Sequence, residues 1–131
     1  MRLAVDTHIL VRWLTGTGRL SREQTRVIEA AERRGEPVGL SAFTLFEIAM
    51  LVTDGRLQLN AGLDEFMESI EANPAFRILP LSPMIAVQAA GLQVLKDSGD
   101  RIIAATARVH GLRLVTSDAR IIESNVVSTV S

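Results

Sequence analysis

The sequence predicts an α/β fold, with a central parallel sheet of four to five short strands covered by helices on both faces. Three observations carry this reading. Short, mostly apolar runs alternate from end to end with segments of helical periodicity. Helix-start residues follow directly on the ends of apolar runs. No repeat, linker or low-complexity stretch breaks the alternation, and 131 residues fit one domain, 1–131.

Arg2-Leu3-Ala4-Val5 is the first strand, ending at Asp6-Thr7, where a helix starts. Ile9, Leu10, Trp13 and Leu14 recur at helical spacing until Gly16 and Gly18 break the pattern. Ser21 and Gln24 have the spacing of a capping box and open a helix to about Arg34, with Glu29 and Arg33 in the favourable i,i+4 order. Gly35 ends it, and Pro37-Val38-Gly39-Leu40 is the second strand. Ser41 caps a helix to about Thr53 that is apolar nearly all round. Leu63, Phe66, Met67 and Ile70 mark an amphipathic helix stopped by Asn73-Pro74. Phe76-Arg77-Ile78-Leu79 is the third strand. Pro83 suits the first position of a helix carried on by Ile85, Ala89 and Leu92. Asp100 opens the next helix, which closes at His110-Gly111. Arg113-Leu114-Val115-Thr116 is the fourth strand, Ser117-Asp118 a turn, and Val126-Val127 the last strand.

Composition narrows the function. A hydrophobic fraction of 47% excludes a disordered chain. The absence of cysteine excludes a disulfide scaffold, a zinc–thiolate site, an iron–sulfur cluster and a thiol nucleophile. A formal net charge of −1 argues against holding nucleic acid by bulk electrostatics, though not against touching it at a few places. Lys96 is the only lysine among 14 cations. Arginine suits phosphate, but a compositional bias toward arginine is the simpler account. Residues 1–6 lack the apolar region of a signal peptide, and the most apolar stretch, Ser41 to Thr53, is interrupted by Glu47 and too short for a membrane span. A soluble, cytoplasmic protein is expected.

Ligands of such sheets bind beyond the carboxyl ends of the strands. Asp6 ends the first strand, and Asp118 follows the fourth. Asp100 starts the helix leading into that fourth strand, and Glu47 lies in the helix after the second. The topology would bring all four to one sheet edge. Singly, Asp6, Asp100 and Asp118 read as helix caps. Glu47 sits between Phe46 and Ile48 and bears a desolvation cost unless a salt bridge to an arginine, exposure at a seam, or a site compensates it. Together the four repel one another and require protons or a cation. Oxygen donors without His or Cys point to Mg²⁺ or Mn²⁺, ions that activate water for attack on a phosphodiester. Setting those four aside, 14 cations face 11 remaining acids, a mildly basic shell around an acidic site.

These residues resemble a known family, the PIN-domain ribonucleases, and within it the VapC-type toxins of toxin–antitoxin modules. The resemblance spans essentially the whole chain. It rests on Val5-Asp6-Thr7-His8, on Ser41-Ala42-Phe43-Thr44-Leu45-Phe46-Glu47-Ile48-Ala49, on Asp97 through Ala107, and on Leu114-Val115-Thr116-Ser117-Asp118. It implies a three-layer α/β/α PIN-like fold and Mg²⁺-dependent endoribonuclease activity, with Mn²⁺ as a substitute. It also implies an RNA substrate, a cognate VapB-like antitoxin and a homodimer. By the same resemblance Asp6, Glu47, Asp100 and Asp118 are the catalytic, metal-binding acids. Thr7, Asp97, Arg101, Thr116 and Ser117 are supporting residues, with Thr116 or Ser117 as the supporting hydroxyl. Ser98 stands where the family usually has proline, which leaves Asp97 open between a supporting, a loop and a solvated role.

Other residues have competing readings. His8 reads as a half-exposed helix residue rather than a base, and His110 suits a helix C-terminus. Arg101 and Arg120 flank the acids and either touch phosphate or pair with those acids. Trp13 reads as core, with an exposed part able to receive a partner helix. A phosphoacceptor receiver domain is the rival from another class, but it wants adjacent acids after the first strand and a lysine after the last. A degenerate PIN domain that binds RNA or protein without cutting is the other alternative.

Overall fold

The computed structural model describes residues 1–131. Five strands, β1 (Leu3–Val5), β2 (Val38–Ser41), β3 (Phe76–Leu79), β4 (Arg113–Val115) and β5 (Thr129–Val130), form one sheet in the order β3-β2-β1-β4-β5. Every pairing is parallel. Seven helices connect and flank them: α1 (Thr7–Thr15), α2 (Arg22–Arg33), α3 (Ala42–Thr53), α4 (Leu63–Ala72), α5 (Pro83–Gly91), α6 (Ser98–Val109) and α7 (Ala119–Ser124).

The period-two alternation of strands sorts their side chains into two cores. Leu3 and Val5 of β1 pack with Ile9 and Leu10 of α1, Ile28 of α2, Ile48 of α3 and Ile70 of α4. Ala4 between them faces the other layer, with Leu114, with Ile103, Ala104 and Ala107 of α6, and with Ile121 of α7. Burial of each large apolar side chain contributes about 1.5–3 kcal/mol, which is why such short strands hold. The result is the expected three-layer α/β/α arrangement, with α5 packed outside α6 through Ile85, Ala89 and Ala105. No helix is long and apolar enough to cross a membrane.

The capping box forms as the spacing predicts: Gln24 N–H donates to Ser21 Oγ at 3.0 Å, and Ser21 N–H donates to Gln24 Oε1 at 2.9 Å. Four local expectations are corrected. α6 is capped by Asp97, whose Oδ1 accepts from the Asp100 N–H at 2.9 Å, so Asp100 lies in the first turn instead of opening the helix. A short helix, α7, follows the turn at Asp118 and ends at Asn125 in the left-handed conformation (φ 55°). The last strand is Thr129–Val130, paired with Leu114 and Val115, because Val126 and Val127 pack against the second core instead of joining the sheet. Arg33 does not pair with Glu29; the ion pair on α2 is Arg26 with Glu23.

Chain order then places the site. From β1 the sheet grows outward through β2 to β3, and the chain returns past β1 to lay down β4 and β5. The reversal between β1 and β4 opens a crevice at their carboxyl ends. Asp6 and Thr116 are the first residues beyond those two strands.

Candidate active site

Asp6 is buried where β1 hands over to α1. One carboxylate oxygen caps α1, accepting from Ile9 N–H at 2.9 Å, and the other accepts from the Thr116 hydroxyl. The same Thr116 oxygen accepts from the Asp118 N–H at 3.1 Å, so one hydroxyl orients two acids. Asp118 caps α7 through a 2.9 Å bond from Arg120 N–H, and the Arg120 guanidinium reaches both of its oxygens, at 3.1 and 3.3 Å.

Glu47 projects from α3, and the Thr7 hydroxyl donates to it; Thr7 Oγ1 in turn lies 3.2 Å from Thr44 Oγ1. No arginine pairs with Glu47, which removes the ion-pair explanation of its position. Asp100 arrives on α6, which lies hard against α3. A Cβ at Gly99 would stand 2.5 Å from Cε2 of Phe43, so any larger residue would force the ring or the helix to shift.

Asp6, Glu47, Asp97, Asp100 and Asp118 line a single cavity of about 140 Å³, together with Thr7, His8, Ile103 and Arg120. A larger cavity of about 280 Å³, lined by Trp13, Glu32 and Pro74 among others, lies toward the amino ends of β2 and β3, away from these acids. Burial is the main force on Asp6, Glu47 and Asp100. It pushes the Asp6 carboxyl up against the opposing bonds from Thr116 and Ile9, and likewise raises Glu47. Asp100 is pushed up to about 6 by burial, reinforced by the charges of Asp97 and Asp118. Asp118 alone is lowered, by its bond to Arg120. The cavity therefore holds more negative charge than its own cations neutralise.

The carboxylates and hydroxyls lining the cavity offer oxygen donors, which fit a hard divalent ion, with His8 the one nitrogen donor beside them. The side chains as they stand do not form a ready group of three or more ligands around one point. Both oxygens of Asp6 and of Asp118, and one of Glu47, are already engaged by hydrogen bonds. Such a set suits an ion that keeps several of its waters, as Mg²⁺ does, and not an all-protein cage.

Two expected supporting residues lie elsewhere. Arg101 donates from Nε to the Leu95 carbonyl at 2.6 Å and does not line the cavity. Ser117 turns its hydroxyl to Gln24, from whose Nε2 it accepts at 3.0 Å, leaving Thr116 as the hydroxyl that serves the acids. Asp97 combines two roles, capping α6 and lining the cavity. Lys96 is not among the lining residues, contrary to what a receiver domain requires. Trp13 packs edge-on against Phe76 at 5.1 Å, as a core residue should.

Sequence reasoning missed two positioning residues. Gln24 is fully buried, and its Nε2 donates to the Thr116 carbonyl at 3.2 Å across 92 residues of sequence. Only its place in the capping box hinted at it. Thr44, three residues before Glu47 and on the same helix face, is buried beside Thr7.

Residues 3–125 match the sequence profile of the PIN domain. Ribonuclease VapC22 of Mycobacterium tuberculosis is 31% identical over 119 residues, covering 89% of this chain and 87% of that protein. The FitAcB structure from Neisseria gonorrhoeae superposes with a TM-score of 0.69 at 25% identity, covering 98% of this chain and 96% of the other. A toxin–antitoxin complex from Klebsiella pneumoniae gives 0.68 at 23% identity over 98% and 96% of the two chains. DNA-bound VapBC2 from Rickettsia felis gives 0.72 at 14% identity over 99% and 98%, and these last two establish the fold alone.

Proposed function

The chain belongs to the PIN domain family, and from that premise we propose that it is an endoribonuclease dependent on Mg²⁺ or Mn²⁺, acting as the toxin of a toxin–antitoxin pair. The observation that carries this reading is the crowding of five carboxylates around one cavity at the β1/β4 reversal, with Asp6, Glu47 and Asp100 all pushed above their ordinary range. Acids so placed are costly to the fold unless a cation joins them.

In this proposal Asp6, Glu47, Asp100 and Asp118 hold the metal. When bound, Mg²⁺ or Mn²⁺ would supply Lewis-acid polarisation of the phosphodiester and lower the pKa of a water so that hydroxide is available as the nucleophile. The remaining work falls to the chain's own groups. Thr116 holds Asp6 and Asp118 in register, Thr7 aims Glu47, and Asp97 fixes the first turn of α6 from which Asp100 projects. An antitoxin partner belongs to the same proposal, supported by the 31% identity to Ribonuclease VapC22, and a protein of the same fold occurs in the Klebsiella pneumoniae toxin–antitoxin complex. The same proposal includes a homodimer, a single functional domain over residues 1–131 and a cytoplasmic site of action.

The test is cleavage mapping on total cellular RNA with and without Mg²⁺, with Asp100→Asn as control. The expected result is metal-dependent cuts bearing 5′-phosphates, absent from the variant. Cleavage that persists in EDTA, or in Asp100→Asn, would overturn the assignment.

A further inference from the structure

Arg120 is the only arginine or lysine lining the acid cavity. Its Nη2 stands 3.1 Å from Asp118 Oδ2 and 3.8 Å from Asp100 Oδ2, so one guanidinium spans acids carried by two different helices. The acids it joins are about 20% exposed, whereas its own side chain is 74% exposed. The arm therefore lies at the mouth of the cavity, held by its bonds to Asp118 and its approach to Asp100.

We infer that Arg120 is a resident counter-cation of the cavity, displaced when a divalent ion binds and then positioned at the rim to hold the RNA phosphate. This rests on the metal-dependent nuclease reading and goes beyond it. One guanidinium cannot balance five carboxylates. Exposed ion pairs of this kind are weak and salt-screened, so a doubly charged ion displaces the arm readily. The arm remains tethered at the start of α7, two residues after Asp118, so its release leaves the guanidinium beside the reacting group. Its planar fork matches phosphate oxygens as an ammonium does not.

Displacement predicts opposite effects on two ligands, which a purely structural role would not produce. Mn²⁺ binding to the metal-free full chain is measured by titration calorimetry for wild type, Arg120→Ala and Arg120→Lys, and KM is measured on an RNA cleaved by wild type. Arg120→Ala should bind Mn²⁺ about two- to fivefold more tightly, the affinity equivalent of an exposed ion pair, and this gain should shrink in high salt. Its KM for RNA should rise severalfold, with Arg120→Lys intermediate on both measures. Unchanged or weaker Mn²⁺ binding by Arg120→Ala, with wild type binding normally, overturns this inference alone. Tighter Mn²⁺ binding with an unchanged KM overturns the phosphate-holding half. Failure of wild type to bind Mn²⁺ overturns the metal reading and this inference with it.

Discussion

Asp100→Asn should make the metal-free protein more stable at neutral pH while removing its activity. Burial and the charges of Asp97 and Asp118 raise the Asp100 carboxyl from 3.8 to about 6. The folded protein thus binds this proton more tightly than the unfolded chain does, and stability falls as pH rises from 3.8 to about 6. The penalty is absent below that window and complete above it. At ~1.36 kcal/mol per pH unit the ceiling is about 3 kcal/mol, and solvent screening of a partly exposed carboxylate brings it to about 1 kcal/mol. Asparagine keeps the shape and sheds the charge. For a domain of this size the gain is a rise of about 3–5 °C in Tm. The assay is thermal denaturation in EDTA at about pH 7.5 and again at about pH 4, where the difference should vanish. A variant that melts at or below wild type at the higher pH, or that keeps its full advantage at the lower one, would refute the reasoning. Added Mn²⁺ should raise the Tm of wild type and leave the variant nearly unmoved.

Three further outcomes follow from the same geometry. Gly99→Ala puts a methyl into the Phe43 ring and should cost about 1–3 kcal/mol in urea denaturation, with weaker Mn²⁺ binding as α3 and α6 separate. Gln24→Ala removes half of the capping box and leaves the Thr116 carbonyl without its side-chain donor; a loss of about 2–3 kcal/mol in the same assay is expected. Thr116→Val deletes the hydroxyl that lowers the Asp6 carboxyl, so Asp6 should rise further. The acid limb of the pH–rate profile for RNA cleavage should then move to higher pH, since a carboxylate that must be ionised is harder to ionise.

Much of this architecture is legible in the residues. The apolar runs and caps locate β1 to β4 and α1 to α6 closely, because strand burial and capping are local decisions. The four acids are legible for a related reason: three stand at helix starts beside strand ends, Glu47 is an acid inside an otherwise apolar helix, and parallel topology brings them to one edge. What escaped depends on choices between near-equal local partners or on distant ones. Asp97 and Asp100 are both good caps by type, and only the backbone bond to Asp97 decides between them. Val126-Val127 looks more strand-like than Thr129-Val130, yet the former pair is taken by the second core. Arg101 and Arg120 each follow closely on one of the acids in sequence, but one turns to Leu95 and the other to Asp118 and Asp100. No local pattern announces that Gln24 will reach the end of β4.

The contact between Gly99 and Phe43 has a consequence for how the acids respond to one another. Helices that could slide apart would relieve like-charge repulsion by movement. With no Cβ at position 99 and an aromatic ring filling the space, α6 is seated on α3 by shape and not by charge balance. Repulsion among Glu47, Asp97 and Asp100 therefore has one outlet, the uptake of a cation, be it a proton or a metal ion. The backbone around the cavity holds its shape while its charge, and the exposed Arg120 arm at its mouth, adjust. Acidification and metal loading should accordingly change the charge of the site while leaving the backbone around it in place.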